Sequence, residues 1–447
     1  MPTVHTEHLL VPDPSRTSLL VLDGDVPVLP TWDTEELEVR LTVERARRVF
    51  GIEAPYLRAV RTIGDIFGDA PVAVLVEFDA PEPGWQPPSP LRWLSFDELP
   101  TTDLEPALFR NHVRSWASDL ARGHADPHTP EWSRPGWFGS TSAWLVDQLA
   151  RLGLRATGRI EQLGGWPVSA ILAADTDAGG VVLKTMPPVF GHEPALTATL
   201  AREHPGRVPD VLAIDRDRRL LLMGAFGGSM LGDEEPARWG DGLSAMGEIQ
   251  RAWIGRRAEL AALGLPDHGL AAIAPRFESI VTDVDASLGL DPADRERLVG
   301  HLPLYAELVD RLAAFAVPET LIHGDMHPWN VQRDGERLIV FDWSDACWSH
   351  PFFDVVTFTA RTADAHAGEQ MRLDYLAGWS DRASPADLRQ ALRWAEPLAE
   401  LRLSLIWREL QALFGRGSAF PFVDSGVERH LLHVIKATEA MADRSPA

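Results

Sequence analysis

The first hundred residues alternate short apolar runs with one amphipathic stretch, which indicates strands mixed with a helix. Residues 18–23 and 70–78 are rich in β-branched and other apolar side chains and are bounded by turn residues, so we predict strands there. Between them, apolar residues recur at helical spacing over residues 36–50. This pattern predicts an amphipathic helix that Gly51 ends.

Two features mark the end of this region. Residues 102–105 have the sequence of a capping box, which predicts the start of a helix that runs to about residue 122. Prolines and glycines are then frequent between residues 124 and 141. This composition predicts a linker.

From residue 142 the pattern predicts antiparallel strands and then a mainly helical region. The predicted strands are 158–163, 168–173, 181–184, 208–214 and 219–223, and the helices among them are 143–152 and 193–203. Beyond residue 228 the chain is mainly helical. We therefore expect a domain at 1–123, a linker at 124–141, a strand-rich lobe at 142–228 and a helical lobe at 229–447.

Composition narrows the classes of function. The chain has 447 residues and a net charge of −23, which argues against a general binder of nucleic acid or of anionic membranes. No apolar stretch approaches the length that spans a bilayer, and Cys347 is the only cysteine, so no intrachain disulfide can form. We expect a cytoplasmic protein whose partner is a small molecule.

The usage of basic residues is uneven. Lysine occurs only at Lys184 and Lys436, and the other 40 of the 42 basic residues are arginine. A lysine that is kept against this preference indicates a need for a compact point charge, because ammonium and guanidinium groups are not interchangeable.

One segment carries the side chains that phosphoryl transfer requires. Asp325 is followed five positions later by Asn330, and Asp342 ends an apolar strand that follows a predicted turn at Gly335. A carboxylate can accept the proton of a hydroxyl, and further oxygen atoms can hold Mg²⁺ against a triphosphate. The turn should bring Asp342 back beside Asn330.

Other interpretations of this segment are weaker. An Asp and an Asn in one loop are commonly turn residues, but here strands flank the loop and a second carboxylate follows. His323 and His327 are four positions apart, as in some metal sites, yet they lie in a predicted loop instead of a helix. We expect structural hydrogen bonds from both.

Over residues 140–440 the chain resembles the aminoglycoside phosphotransferase family, whose signature His-Gly-Asp loop with Asn five positions after the Asp is present at 323–330. The resemblance implies an α+β, protein-kinase-like two-lobe fold with an antiparallel-sheet lobe and a helical lobe. It implies ATP and Mg²⁺ as cofactors, with Asp325 as catalytic base and Asn330 and Asp342 as metal ligands. It also implies that Asp354 braces the loop.

The predicted nucleotide site rests partly on residue type and partly on this resemblance. Lys184 ends an apolar strand, where the kinase fold places its phosphate-binding lysine, although a solvated edge lysine is the common alternative. Glu193, at the start of the next helix, would be its partner. The remaining predicted contacts are a turn over the phosphates and a hinge beside adenine, namely Gly164, Gly165, Met223 and Ala225.

Residues 1–123 resemble a Nudix-type fold, chiefly at residues 91–100. The resemblance implies a small α/β cap domain. It fails at the catalytic motif, because Arg48 and Val49 stand where metal-binding glutamates are expected. Without those carboxylates Mg²⁺ has no ligands there, so we expect a non-catalytic cap.

The acceptor site is predicted through the resemblance to the aminoglycoside phosphotransferase family. The resemblance places it between the loop and the C-terminal helices, so the candidates are Asp345, Trp348, Glu400 and Trp407, and an amino sugar, an aminoglycoside or a related compound would suit their acidic members. A nucleotide-binding regulatory protein with little activity is the alternative to an active kinase. Phosphorylation of proteins is disfavoured, because neither Asp-Phe-Gly nor Ala-Pro-Glu follows the loop.

Overall fold

The computed structural model describes residues 3–64, 70–123, 127–282, 290–415 and 421–443. The chain divides into two compact units, residues 1–187 and 188–447, and each has its own apolar core. The predicted linker begins at residue 124, and residues 124–126 lie outside the described part of the chain.

The first unit begins with a strand-rich region and ends with a helix and three strands. Its elements are β1 (His5–Leu10), β2 (Ser18–Leu22), β3 (Thr31–Thr34), α1 (Val39–Phe50), β4 (Tyr56–Ile63), β5 (Ala73–Phe78), β6 (Leu91–Ser95), α2 (Arg110–Ala121), α3 (Trp137–Arg151), β7 (Glu161–Trp166), β8 (Ser169–Thr176) and β9 (Gly179–Thr185).

A mixed sheet with strand order β3-β1-β5-β4 organises the N-terminal region. β1 runs parallel to β5, whereas β3 and β4 run antiparallel to their neighbours. Successive residues of β1 enter different cores: Leu9 packs in a cluster with Ala46 of α1, and Leu10 in a cluster with Val113 and Trp116 of α2. The period of two along the strand therefore buries both faces of the sheet.

Helix α1 confirms the predicted end at Gly51 but starts three residues later than the predicted Glu36. The Thr34 hydroxyl donates to the Glu36 carbonyl at 2.7 Å and accepts from the Glu36 N–H at 3.1 Å. This local turn competes with the helix for the same backbone groups. Gly51 has a φ of 66°, the left-handed cap conformation that favours glycine.

The start of the helix predicted from the capping box is wrong. Helix α2 begins at Arg110, and the Thr102 hydroxyl donates to a carbonyl four residues earlier in the chain. Glu105 bonds instead with a distant segment: its N–H donates to the Pro27 carbonyl and its carbonyl accepts from the Leu29 N–H, both at 2.9 Å. These bonds hold Glu105 extended, so tertiary pairing overrides the local propensity.

The strands β7, β8 and β9 form a continuous antiparallel run, which confirms the three predicted strands with boundaries shifted by a few residues. Within the first unit, β7 packs against the N-terminal region. The buried Gln162 amide accepts from the Tyr56 N–H at 3.1 Å and donates to the Tyr56 carbonyl at 2.8 Å. At the end of β7, the Trp132 indole donates to the Trp166 carbonyl at 2.8 Å.

The second unit is mainly helical, which confirms the prediction for the chain beyond residue 228. Its elements are α4 (Glu193–Glu203), β10 (Val211–Asp215), β11 (Leu220–Gly224), β12 (Ser229–Met230), α5 (Gly240–Ala252), α6 (Arg257–Leu263), α7 (Leu270–Thr282), α8 (Pro292–Ala313), β13 (Thr320–Ile322), β14 (Val331–Asp334), β15 (Arg337–Val340), β16 (Cys347–Ser349), α9 (Phe352–Thr359), α10 (Ala365–Ala377), α11 (Pro385–Phe414) and α12 (Pro421–Asp443).

The core of the second unit combines aliphatic and aromatic side chains, and Trp253, Trp343 and Trp379 are almost completely buried. The long helix α11 packs against α7, α8, α9 and α12. Asp291 and Asp364 immediately precede helices α8 and α10, and their carboxylates accept N–H bonds of the first turn. None of the described helices is long and apolar enough to cross a membrane.

Candidate active site

The predicted loop lies between two short antiparallel pairs of strands. β13, which leads into the loop, pairs with β16, and β14 pairs with β15 through a turn at Gly335. Phe341 donates its N–H to the Asn330 carbonyl at 3.0 Å. The hairpin therefore brings Asp342 back beside Asn330, as the sequence predicted.

Asp354, at the start of α9, holds the entry of the loop. Its two carboxylate oxygens accept the backbone N–H groups of His323 and Gly324, each at 2.9 Å, which confirms the predicted brace. The buried Gln250 amide donates to the same carboxylate at 2.8 Å. Burial raises the pKa of Asp354, whereas the His323 ring and the two backbone donors oppose that rise.

His323 has a structural position, as expected. Its ring is buried, and Nε2 donates to the Phe341 carbonyl at 2.9 Å. The ring centroid lies 4.9 Å from that of Trp343. Burial lowers the pKa of His323, which favours the neutral ring.

Gly324 occupies a position where a side chain would not fit. Its φ is 88°, and a Cβ atom there would lie 2.0 Å from the Asp345 carbonyl oxygen. The Gly324 carbonyl accepts a bond from the guanidinium of Arg402, which is 1% exposed. Sequence reasoning missed Arg402, and the available signal was a lone charged residue within residues 401–406, which are otherwise apolar except for Ser404.

Asp325 lies beside two basic side chains. His327 Nε2 is 3.5 Å from one carboxylate oxygen, Arg361 Nη2 is 3.8 Å from the other, and the Asp325 side chain is 37% exposed. Burial raises the pKa of Asp325, but His327 and Arg361 outweigh burial and lower the pKa to about 2. The group is therefore a carboxylate at neutral pH and can accept a proton.

Asn330 and Asp342 provide the oxygen atoms that a hard cation prefers. The Asn330 side chain is mostly buried, and its amide nitrogen donates to the Asp325 carbonyl at 3.0 Å, which turns the amide oxygen away from that carbonyl. Asp342 has a φ of 64°, a left-handed conformation that few residues adopt outside glycine. A carboxylate and an amide oxygen next to Asp325 fit a Mg²⁺ site.

Ser344 connects Asp342 to helix α4, a relationship that sequence reasoning missed. Its hydroxyl oxygen lies 2.7 Å from Glu193 Oε2 and 3.0 Å from Asp342 Oδ1. Glu193 is 1% exposed. The only signal was a hydroxyl two positions after Asp342, where protein kinases have the glycine of Asp-Phe-Gly.

The predicted hinge includes the end of β11 and the residues after it in the second unit. Met223 is buried in β11, and Ala225 lines a recess of about 160 Å³ together with Phe226. The Gln332 amide donates to the Gly227 carbonyl at 3.0 Å and so joins this segment to the hairpin that carries Asp342. The segment offers backbone groups at the edge of a recess, as an adenine site requires.

The residues predicted to contact phosphates in the first unit lie on its last strands. Lys184 is on β9 and is 6% exposed, so its interpretation as a solvated edge residue is wrong. Gly164 and Gly165 lie within β7, and the turn itself is at residues 167–168. A Cβ atom on Gly165 would lie 3.1 Å from the Tyr56 ring, so packing explains this glycine.

The model of the phosphotransferase enzyme family matches residues 159–394, which is more than half of the chain. The chain belongs to this phosphotransferase family. It is accordingly a small-molecule kinase with the α+β, protein-kinase-like fold that the resemblance implied.

Several solved structures are similar to this phosphotransferase. One is a choline/ethanolamine kinase family protein from Mesorhizobium loti, with 18% identity, a TM-score of 0.47 and a match that covers 68% of this chain and 99% of that chain. Another is a macrolide 2'-phosphotransferase from Brachybacterium faecium, with 20% identity, a TM-score of 0.45 and a match that covers 64% of this chain and 97% of that chain. A spectinomycin phosphotransferase solved with ADP and spectinomycin is also similar, with 10% identity, a TM-score of 0.43 and a match that covers 67% of this chain and 98% of that chain. No curated protein matches the chain.

The family match begins at residue 159 and therefore does not include the N-terminal region. In that region Val49 is 53% exposed on α1, next to the exposed Arg48. The Nudix-like interpretation of residues 1–123 remains a prediction.

The predicted acceptor residues of the phosphotransferase fall in two places. Asp345 and Trp348 follow the hairpin, and the buried Trp348 indole donates to Glu319 at 3.1 Å. Glu400 and Trp407 lie on α11. Both sets remain candidates for acceptor binding.

Proposed function

We propose that this phosphotransferase transfers the γ-phosphoryl group of ATP to a hydroxyl of a small molecule, with Asp325 as the catalytic base. The observation that carries the proposal is the joining of the loop to the hairpin. Asn330 bonds to the Asp325 carbonyl with its side chain and to Phe341 with its backbone, so both proposed metal ligands, Asn330 and Asp342, are fixed relative to the base.

The proposed reaction uses Asp325 to take the acceptor's hydroxyl proton. The hydroxyl oxygen forms a bond to the γ-phosphorus, the bond to the bridging oxygen of the β-phosphate breaks, and ADP leaves. Mg²⁺, held by Asn330 and Asp342, would neutralise negative charge on the phosphates. His327 and Arg361 keep the pKa of Asp325 low, so the base is ionised before the acceptor binds.

The proposed nucleotide contacts complete this assignment. Lys184 would contact the ATP phosphates with Glu193 as its partner, and Gly164 and Gly165 would lead into the turn over those phosphates. Met223 and Ala225 would present backbone groups to adenine. The burial of Lys184 in a chain with two lysines supports a specific role for its ammonium group.

We propose an amino sugar, an aminoglycoside or a related antibiotic or metabolite as acceptor. Carboxylates at Asp345 and Glu400 suit an ammonium group, and the aromatic ring of Trp407 suits the apolar face of a sugar ring. Trp329 is 42% exposed, and its ring lies 6.2 Å from the ring of His327, which is the neighbour of the proposed base.

The test is ATP consumption measured against a panel of sugars, amino sugars and antibiotics, with phosphorylated product identified by mass spectrometry. Asp325→Asn should keep the fold and nucleotide binding and lower turnover by at least about 10²-fold, because an amide cannot accept the proton. Asp374→Asn, at an exposed position of α10, is the matched control. An Asp325→Asn variant with near-normal turnover would exclude Asp325 as the base, and nucleotide binding without turnover on any acceptor would favour a regulatory protein.

A further inference from the structure

Around the acceptor candidate Glu400, helices α11 and α12 bring together three side chains of the kind that bind transition metals. Glu400 lies on α11, and His430 and His433 lie one turn apart on α12. One ligand atom from each residue lies within 4.8 Å of the other two. An i, i+3 pair of histidines projects from one face of a helix, so both rings can reach one ion.

The distances favour a shared ion over two hydrogen bonds. His430 Nδ1 and His433 Nδ1 lie 3.1 Å and 3.6 Å from the same oxygen, Glu400 Oε2. A donor–acceptor distance of 3.6 Å is too long for a hydrogen bond. In a tetrahedral site with metal–ligand bonds of 2.0–2.1 Å, neighbouring ligand atoms are roughly 3.3 Å apart. The separations of the two histidine nitrogens from Glu400 Oε2 lie on either side of this value.

The surroundings fix the orientation of one ligand. The His430 ring stacks on Trp407, with centroids 5.8 Å apart and planes 23° from parallel. Trp407 in turn packs on Gly426, where a Cβ atom would lie 2.1 Å from the indole ring. A metal ligand held by packing loses less conformational freedom on binding than a free side chain does.

Exposure leaves the cluster accessible from solvent. The side chains of Glu400 and His430 are 19% and 14% exposed, whereas that of His433 is 44% exposed. Three protein ligands leave a fourth position of a tetrahedral ion open to water or another ligand. Two imidazoles and one carboxylate suit Zn²⁺ and disfavour Mg²⁺, which prefers oxygen ligands only.

We propose that Glu400, His430 and His433 form a Zn²⁺-type site that fastens α12 to α11. The site is separate from the proposed Mg²⁺ ligands Asn330 and Asp342 in its residues and in the cation it selects. Because it joins two helices that are distant in sequence from the loop, it stabilises the helical hairpin whether or not nucleotide is bound.

The test uses the full chain without an affinity tag, stripped with a chelator and titrated with Co²⁺ alone in the absence of nucleotide. We expect one Co²⁺ per chain with the visible spectrum of a tetrahedral ion, displaced by one equivalent of Zn²⁺ and retained in excess Mg²⁺. His433→Gln and Glu400→Gln should each lower affinity by at least about 10-fold, the lower end of the loss caused even by indirect partners of a metal. His366→Gln, at an exposed position, should bind as the unmodified chain does.

Thermal unfolding provides a second readout that does not depend on kinase activity. At one fixed Zn²⁺ concentration, the melting temperature of the unmodified chain and of His366→Gln should rise by clearly more than that of the two ligand variants. The metal-free melting temperature of His433→Gln should equal that of the unmodified chain, since this side chain is partly exposed. Absence of a tetrahedral Co²⁺ spectrum in the unmodified chain, or equal affinity in His433→Gln, would overturn the proposal and leave only the hydrogen bond between His430 and Glu400.

Discussion

The hydroxyl oxygen of Ser344 lies 2.7 Å from a carboxylate oxygen of Glu193, a residue that precedes it by 151 positions. The same hydroxyl is 3.0 Å from Asp342. A serine hydroxyl has one proton and can donate to only one of the two carboxylates at a time. Ser344 is therefore the link between helix α4 and the hairpin end that carries a proposed Mg²⁺ ligand.

We predict that Ser344→Ala weakens the use of Mg²⁺ without abolishing activity. The alanine removes the hydroxyl that orients Asp342, while the carboxylate itself remains. Loss of such an indirect partner typically costs about 10–100-fold in metal affinity, so the Mg²⁺ concentration for half-maximal turnover should rise by a factor in that range. The measurement is turnover as a function of Mg²⁺ at saturating nucleotide.

Ser244→Ala is the control, because the Ser244 hydroxyl bonds only to a carbonyl within its own helix α5 among the contacts described for it. Its Mg²⁺ dependence should equal that of the unmodified enzyme. If Ser344→Ala also has an unchanged Mg²⁺ dependence, Ser344 does not position Asp342.

The low pKa of Asp325 leads to a prediction about pH. As a base, Asp325 must be ionised, so activity is lost as pH falls through its pKa, which His327 and Arg361 help to lower to about 2. His327→Gln removes one of these influences and should raise the pKa toward the ordinary value of about 4. A loss of kcat/KM near that pH should then appear in a pH–rate profile, with acid stability checked separately.

His366→Gln, on the exposed face of α10, is the matched histidine substitution and should leave the acid limb where it is in the unmodified enzyme. If kcat/KM is lost at the same low pH in His327→Gln and in the unmodified enzyme, His327 does not set the pKa of the base.

We predict that Lys184→Arg impairs the enzyme although it keeps the charge. Lys184 is 6% exposed in β9, and the larger, planar guanidinium cannot replace a point contact in a packed site. Binding of a non-hydrolysable ATP analogue, measured by calorimetry, should weaken by at least about 10-fold, which corresponds to 1.4 kcal/mol.

The other lysine supplies the control for this substitution. Lys436 is exposed on α12, and Lys436→Arg should leave nucleotide binding unchanged. Equal binding by Lys184→Arg and Lys436→Arg would show that Lys184 does not contact the phosphates.

The sequence predicted the parts of the candidate site that depend on short spacings. Asp325, Asn330 and Asp342 lie within 18 residues of one another, and a turn at Gly335 suffices to bring the last two together. Asp354 was found through a resemblance, and its carboxylate indeed accepts two N–H bonds of the loop.

The sequence did not predict the contacts that join distant segments. Arg402 follows Gly324 by 78 positions and Ser344 follows Glu193 by 151, and no local pattern specifies either pair. The wrong helix start at residues 102–105 has the same cause, since Glu105 pairs with a segment near residue 28 instead of completing a capping box. Tertiary hydrogen bonds determine these features, and they are invisible in local periodicity.

The contact between the N-terminal sheet and β7 rests on one buried side chain. The Gln162 amide satisfies both the N–H and the carbonyl of Tyr56, at 3.1 and 2.8 Å, and Gln162 is 5% exposed. Gln162→Ala would leave both backbone groups buried without these partners, at a cost of about 1–3 kcal/mol for each unsatisfied group. The melting temperature should fall by several degrees.

The same substitution should also weaken nucleotide binding, because β7 leads directly into the turn at residues 167–168 that we expect over the phosphates. Gln148→Ala is the matched control, since the Gln148 amide on α3 bonds to the neighbouring Asp147. Lower stability with normal binding of an ATP analogue in Gln162→Ala would limit the N-terminal region to a structural role. Lower stability and weaker binding together, absent in Gln148→Ala, would mean that this region positions β7 for the nucleotide, as the paired bonds to Tyr56 lead us to expect.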